Sequence, residues 1–200
     1  MGTRHLIAVV QGGEYKIASY NQWDGYPSGQ GLTILRFLRD SNLDKFAEKV
    51  SKCSFLNDEE IEVINAEAKK NGKLPDHLSR DLGAKIFELV MNSDEPIKFH
   101  NSLNFAAEGL FCEWAYVVDL DKQTFEVYQG FKQTPVPEGQ RFAHMNPDPA
   151  TWVPDYEGQS LYYPVHLVKE YSMNNLHPFF LPNDEDFVKE CEREEEDEVA

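Results

Sequence analysis

The sequence has few positive charges and few cysteines. It holds 19 Lys and Arg against 35 Asp and Glu, which gives a formal net charge of −16. Because phosphate groups of nucleic acids bind basic surfaces, we expect no nucleic-acid partner.

The three cysteines (Cys53, Cys112 and Cys191) are odd in number, lie far apart and form no CxxC motif. This usage is typical of a reducing compartment, so a cytoplasmic protein is predicted.

Long apolar runs and processing signals are also missing. No apolar run approaches the roughly 18 residues that a membrane span needs, so we expect no membrane partner. The opening "MGTRHLIAVVQGG" contains a short apolar run without a signal-peptide cleavage site, and the chain has no N-x-[ST] sequon. The missing signals also favour the cytoplasm, the compartment that the cysteines indicate.

Motifs for common cofactors and metals are absent as well. There is no Gly-Lys-Ser/Thr phosphate loop, no GxGxxG fingerprint and no HExxH pair. The six histidines form no Cys/His ligand cluster, and His5, which begins an apolar strand, is interpreted as a partnered residue at the edge of the core. We therefore predict neither a cofactor nor a metal site.

Two hairpins are present instead. "RHLIAVVQ" (4–11) and "EYKIASYN" (14–21) flank Gly12-Gly13, a pair that supplies the positive φ of a tight turn. The first run is apolar on both faces, which predicts a central strand that is covered on both sides. "CEWAYVVDL" (112–120) and "TFEVYQGF" (124–131) form the second hairpin.

The segments between and after the hairpins complete an α+β domain. Apolar periodicity predicts about four helices, at 31–40, 43–52, 57–72 and 79–92. A long loop at 134–158 contains five prolines, and such loops often cover a site or anchor to the body. "LYYPVHLVKEY" (161–171) is predicted as an edge strand because Pro164 cannot donate to a sheet. The sheet is expected to be mostly antiparallel.

The predicted domain covers residues 1–183, and an acidic tail follows at 184–200. The tail holds ten acids against Lys189 and Arg193, and it is interpreted as a solvated segment with a helical tendency around Phe187 and Val188. A docking role for the tail is the alternative interpretation.

"NQWDGYPSGQG" (21–31) lies between the first hairpin and the first helix. One interpretation is structural: three glycines and Pro27 shape the turn, and Ser28 caps the helix. The other is functional: exposed amides at the start of the helix form an anion pocket beside Trp23 and Asp24. The sequence leaves both interpretations open.

The opening residues "MGTRHLIAV" together with "YNQWDGYPSGQG" resemble the amino-terminal signature of a family of small, functionally uncharacterised proteins of bacteria, phages and fungi. The resemblance covers residues 1–31 and implies no activity. It directs attention to six residues, namely Thr3, Arg4, Trp23, Asp24, Gly25 and Tyr26.

Pairing through Gly12-Gly13 is expected to bring Arg4 close to residues 21–24, and an Arg4–Asp24 ion pair is predicted. The favoured function is a binding or interaction domain for a small molecule or a protein, and a homo-oligomer is compatible with the exposed edge near Pro164. Its predicted ligand-binding residues are Arg4, Trp23, Asp24, Gly25 and Tyr26.

The alternative function is a hydrolase or an amidotransferase-like enzyme of the N-terminal-nucleophile type, to which the chain is similar in outline. That fold begins with a hairpin and packs antiparallel sheets between helices. Thr3 is one candidate nucleophile, but it would act only after Met1 and Gly2 had been removed, because its own amine must serve as the base. Cys112 is the second candidate, although the neighbouring Glu113 disfavours its thiolate.

Overall fold

The computed structural model describes residues 2–148, 152–155, 158–173 and 181–192. In this part of the chain there are nine strands and five α-helices. The strands are β1 (His5–Gln11), β2 (Glu14–Asn21), β3 (Ser54–Phe55), β4 (Lys98–Phe99), β5 (Trp114–Asp119), β6 (Thr124–Gln129), β7 (Trp152–Asp155), β8 (Gly158–Leu161) and β9 (His166–Ser172). The helices are α1 (Leu32–Asp40), α2 (Leu43–Val50), α3 (Asp58–Asn71), α4 (Lys85–Asn92) and α5 (Asp184–Cys191).

Five strands form the main sheet in the order β2-β1-β5-β6-β9. The pairing of β1 with β5 is parallel, and the other three pairings are antiparallel. The predicted α+β class with a mostly antiparallel sheet is therefore confirmed. Both hairpins are present, and β1 is an interior strand whose first six residues are buried, as its two apolar faces predicted.

The two hairpins are joined at their turns as well as along their strands. Gly12 and Gly13 have φ of 66° and 74°, the left-handed conformation that glycine adopts without cost. The Asp121 carboxylate, in the turn of the second hairpin, accepts a 2.8 Å hydrogen bond from the amide of each glycine. These bonds lower the pKa of Asp121 and fix the ends of β1 and β5 side by side.

Successive residues of β1 point to opposite faces of the sheet, and each face buries its own apolar cluster. Ile7 and Val9 face the helices, where they meet apolar side chains of α1, α2, α4 and α5. Leu6 and Ala8 face the other side, which is covered by a 3₁₀ turn (Leu103–Ala107) and by part of the Pro-rich loop. Among the described residues, no second large sheet packs on this side, so the outline of a two-sheet hydrolase sandwich is not found.

The four predicted helices are present, with one difference in length. Asn57 and Glu60 form a reciprocal capping box at the start of α3, and Gly72 ends the helix in the left-handed conformation. Helix α4 begins at Lys85 and not at residue 79, because Gly83 has a φ of +57°, which a helix cannot include.

The Pro-rich segment is partly regular. Strands β7 and β8 form an antiparallel pair within and just after the predicted loop at 134–158. The edge strand predicted at 161–171 begins only at His166, since residue 161 belongs to β8 and Pro164 lies in the break between the strands. Two aromatic residues of this segment, Trp152 and Tyr156, lie outside the residues whose side chains the structure describes.

Arg141 attaches the Pro-rich segment to the sheet. Its guanidinium forms ion pairs with Asp119 and with Glu126, which are 1% and 2% exposed. Glu126 also accepts hydrogen bonds from the hydroxyls of Thr124 and Tyr128. Burial alone would raise the pKa of Glu126, but these donors together lower it, so Glu126 is charged and paired with Arg141.

Helix α5 is part of the fold, although the sequence analysis assigned residues 184–191 to the tail. Phe187 is fully buried and stacks on Phe125, with ring centroids 5.8 Å apart. Arg36 and Arg39 of α1 both bind the carboxylate of Asp184 at the start of α5. The predicted tail at 193–200 lies outside the described residues. None of the helices described is long and apolar enough to cross a membrane.

Candidate functional site

The stretch at 21–31 forms a turn whose backbone is tied to buried elements at several points. The Gly25 amide donates to the Thr3 carbonyl at 3.2 Å, and the Gln30 amide donates to the Asp24 carbonyl at 2.9 Å. The buried phenol of Tyr116 donates to the Gly25 carbonyl at 2.7 Å. A single turn of π-helix (Pro27–Gly31) then leads directly into α1. The turn is therefore a fixed platform at the amino end of α1.

Gly25 allows this close approach because it has no side chain. A Cβ at this position would lie 2.8 Å from both Nδ1 of His5 and the Thr3 carbonyl oxygen. His5 is fully buried beneath the turn, and its Nδ1 lies 3.4 Å from the Thr3 carbonyl. Its Nε2 has no hydrogen-bond partner among the described residues, so the Thr3 carbonyl is the partner that the structure shows for His5. Burial lowers the pKa of His5 to about 4, and the imidazole is neutral.

Asp24 has an unusual conformation in this platform. Its φ is 55°, which L-residues adopt at a cost unless they are Asn or Asp. Its side chain is exposed, and among the described residues the carboxylate has no hydrogen bond or ion pair. The turn thus presents an unpaired carboxylate to solvent.

Two aromatic side chains flank Asp24. Trp23 is 47% exposed and Tyr26 is 51% exposed. The indole of Trp23 is held in place because its Nε1 donates to Asp81 at 2.7 Å, and because its ring lies directly against the backbone of Gly2. An exposed ring that is already fixed loses little entropy when a ligand stacks on it.

A shallow cavity of about 430 Å³ opens beside these residues. Its lining is almost entirely polar and consists of Asp24, Tyr26, Ser28, Gly29, Gln30, Thr33 and Arg36. Arg36 is already paired, since its Nε and Nη2 lie 2.8 and 2.6 Å from Asp184, a carboxylate that it shares with Arg39. Asp24 therefore supplies the unpaired charge of the lining.

The amide of Ser28 is also occupied. It donates a 2.8 Å hydrogen bond to the carboxylate of Glu192, which follows α5. The predicted helix cap by the Ser28 side chain is not formed, and Tyr26 precedes the turn without a capping side chain. At the start of this helix the Ser28 amide is therefore satisfied by an acid of the same chain.

The predicted Arg4–Asp24 ion pair is wrong. Arg4 contacts Glu113, with 3.9 Å between Nε and Oε1, and its guanidinium lies 4.9 Å from the centre of the Phe111 ring. Arg4 and His5 are neighbours in an extended chain, so their side chains point to opposite faces of the sheet. His5 faces the turn and Arg4 faces away from it, which removes Arg4 from the site.

Neither candidate nucleophile is accessible. Thr3 is 5% exposed, and its carbonyl is bonded to the turn. Cys112 is fully buried in the apolar cluster opposite the helices, where its thiol donates to the Trp114 carbonyl. Burial raises the pKa of Cys112 far above its ordinary value, so the thiolate is strongly disfavoured.

The structure brings together Trp23, Asp24, Gly25 and Tyr26 of the predicted set. Gln30, Thr33 and Arg36 were not predicted, although Thr33 and Arg36 are three residues apart, the spacing that places two side chains on one helix face. Among the described residues, no group of three His, Cys, Asp or Glu side chains is arranged to hold a metal ion.

Comparisons with protein-family models, with curated proteins and with solved structures gave no match to this chain. The resemblance of residues 1–31 to an uncharacterised family therefore stays a prediction.

Proposed function

We propose that this chain is a non-catalytic binding domain whose site is the platform of Trp23, Asp24 and Tyr26 with its adjoining cavity. The observation that carries the proposal is Asp24, an exposed and unpaired carboxylate in a left-handed conformation between two exposed aromatic rings. The cavity volume falls in the range of roughly 300–1,000 Å³ that small-molecule sites occupy.

The charges around the cavity define the class of ligand. Arg36 is paired with Asp184, and the Ser28 amide is bonded to Glu192, so each already contacts a carboxylate of the same chain. The chain as a whole carries −16, which repels anions further. A small neutral or cationic ligand, with hydroxyl or ammonium donors for Asp24 and a face that stacks on an aromatic ring, fits best.

The experiment is a titration followed by amide and indole NMR shifts, with neutral monosaccharides and small monoamines as probes and a sugar phosphate as the anionic comparison. We expect a neutral or cationic probe to shift residues 22–30 and the Trp23 indole. Asp24→Gly should remove the response, since glycine tolerates the conformation but has no carboxylate. The control is Glu62→Gln, which removes one negative charge from an exposed position on α3.

Two outcomes would contradict the proposal. One is that the sugar phosphate alone shifts the platform, and the other is that Asp24→Gly responds as Glu62→Gln does. A third result, loss of several kcal/mol of unfolding free energy in Asp24→Gly, would assign the carboxylate a structural role.

A protein partner is the second candidate, because two exposed aromatic side chains on one turn are typical of an interaction surface. In that case Trp23→Ala and Tyr26→Ala would weaken binding more than Asp24→Gly. The proposed compartment is the cytosol, which the three buried free thiols support. A homo-oligomer stays a prediction.

A further inference from the structure

A second cavity lies away from the aromatic platform, on the other side of the segment 76–82. It has a volume of about 220 Å³, and its walls come from the end of β2, from the 3₁₀ turn Asp76–Leu78 with the residues after it, and from the end of β4 with the residues after it. Its lining consists of Ser19, Tyr20, His77, Leu78, Arg80, Phe99, His100 and Ser102.

The charge of this lining is opposite to that of the chain. It holds one arginine and two histidines and no carboxylate, in a protein whose net charge is −16. Of five cavities compared along the described part of the chain, the other four each have at least one Asp or Glu in the lining. Asp81, next in sequence to Arg80, is turned to the Trp23 indole, and Asp76 pairs with Lys73.

The donors of this lining are also free. Among the described residues, the side chains of His77, His100 and Arg80 form no hydrogen bond and no ion pair with a carboxylate. The backbone beneath Arg80 is fixed, since its carbonyl accepts a 3.0 Å hydrogen bond from the Gln22 amide. A guanidinium, two imidazoles and two serine hydroxyls on one cavity are the donors that tetrahedral oxyanions need.

We propose that the cavity lined by His77, Arg80 and His100 binds a phosphate group. Arg80 supplies a permanent positive charge and can donate two hydrogen bonds to one phosphate group. The imidazoles supply further N–H donors, and the hydroxyls of Ser19 and Ser102 complete the set. The volume is several times the roughly 30 Å³ that one water occupies, so it holds a phosphate and leaves room for a small ester group. This site is independent of the one at Asp24.

Affinity should depend on pH through His77. Burial lowers the pKa of His77, the nearby His100 lowers it further, and Asp76 raises it. Glu95 and Lys98, one acid and one base, face His77 across the adjoining cleft. Because the net pKa lies below the ordinary 6.5, the imidazole gains its charge only as the pH falls below that value, and phosphate should then bind more tightly.

The test is a titration of the full chain with inorganic phosphate at constant ionic strength, followed by amide shifts. We expect saturable shifts at residues 19–20, 77–80 and 100–102. Arg80→Gln should weaken binding about tenfold or more, as expected for the loss of a charged hydrogen-bonding partner. Arg80 is exposed, so the variant keeps its fold. Lys45→Gln, an equal loss of charge at an exposed position on α2, should bind as the wild type does.

A parallel titration with glycerol phosphate identifies the form of the ligand. Tighter binding than inorganic phosphate indicates a phosphate ester, and equal or weaker binding indicates the free ion; both support the site. Absence of saturable shifts up to about 10 mM phosphate, a weak limit even for small ligands, would overturn the proposal. An equal response of Arg80→Gln and Lys45→Gln would overturn it as well.

Discussion

The phenol of Tyr116 on β5 donates a 2.7 Å hydrogen bond to the carbonyl of Gly25, 91 residues earlier in the chain. Tyr116 is fully buried among apolar side chains, and burial raises its pKa well above the ordinary value. The bond links the centre of the sheet to the turn that presents Trp23, Asp24 and Tyr26. The position of the proposed site thus depends on a strand to which it is not adjacent in sequence.

Tyr116→Phe should therefore loosen the turn while leaving the core filled. The variant leaves the Gly25 carbonyl without its buried donor, which costs about 1–3 kcal/mol of unfolding free energy. Urea denaturation measures the loss, and amide hydrogen exchange should become faster at Gly29 and Gln30. Unchanged exchange at these two amides would show that the turn does not need this bond.

His5 should make the protein less stable in mild acid. Its pKa is about 4 in the fold and 6.5 in the unfolded chain, so between these values only the unfolded chain binds the proton. The free energy of unfolding should fall as the pH drops from 6.5 to 4, by about 3 kcal/mol in total. Denaturation of wild type and of His5→Phe at a series of pH values tests this. An identical slope in His5→Phe would contradict it, and His144→Gln, at an exposed position, serves as the control.

Arg141→Met should be among the most destabilising substitutions in the Pro-rich segment. It leaves the carboxylates of Asp119 and Glu126 buried without their cation, and breaking such a pair costs about 3–5 kcal/mol. Neutralising the two acids in the same chain (Asp119→Asn with Glu126→Gln) should recover part of the loss. If the triple variant is no more stable than Arg141→Met, the cost arises from packing and not from charge.

Below pH 4.5 the wild type should lose stability because the ion pair between Glu126 and Arg141 is lost. The pKa of Glu126 is depressed in the fold from an ordinary 4.5, so its contribution is complete above that value and is lost as the pH falls through the folded pKa. Acid titration of the wild type and of Glu126→Gln, followed by near-ultraviolet circular dichroism, measures the difference. A parallel loss in both proteins would contradict this assignment.

Phe187→Ala tests whether helix α5 belongs to the fold. The ring is fully buried against Phe125 and Tyr171, and its removal should cost about 3–5 kcal/mol of unfolding free energy. Val188→Ala, which changes a half-buried neighbour, should cost clearly less. A loss below about 0.5 kcal/mol for Phe187→Ala is what a solvated segment would give.

Local patterns account for what could be predicted. Gly12-Gly13 between two apolar runs specifies a hairpin, and a first strand that is apolar on both faces specifies an interior position. The helix predicted at 57–72 matches α3 (Asp58–Asn71) to within a residue at each end. Each of these signals depends on residues within a few positions of one another.

The errors concern contacts between distant residues. The alternation of β1 showed that Arg4 and His5 face opposite sides, but nothing local showed which side the turn at 22–31 would cover, so the wrong neighbour was paired with Asp24. The partners of Arg36 and Ser28 are 148 and 164 residues away. Glu126 carried no local signal either, since an acid that alternates with Phe125 and Val127 is typical of a strand with one face in solvent.

The parallel pairing of β1 with β5 has a consequence for biosynthesis. The first hairpin, which ends at Asn21, leaves the ribosome with one side of β1 unpaired. The pairing of His5 with Trp114 can form only after the 93 residues from 22 to 114 have been translated. A lone two-stranded hairpin is marginal in water, and apolar strands with open edges attract other nascent chains. Until Trp114–Asp119 emerges, the amino-terminal strands are thus a natural binding segment for chaperones.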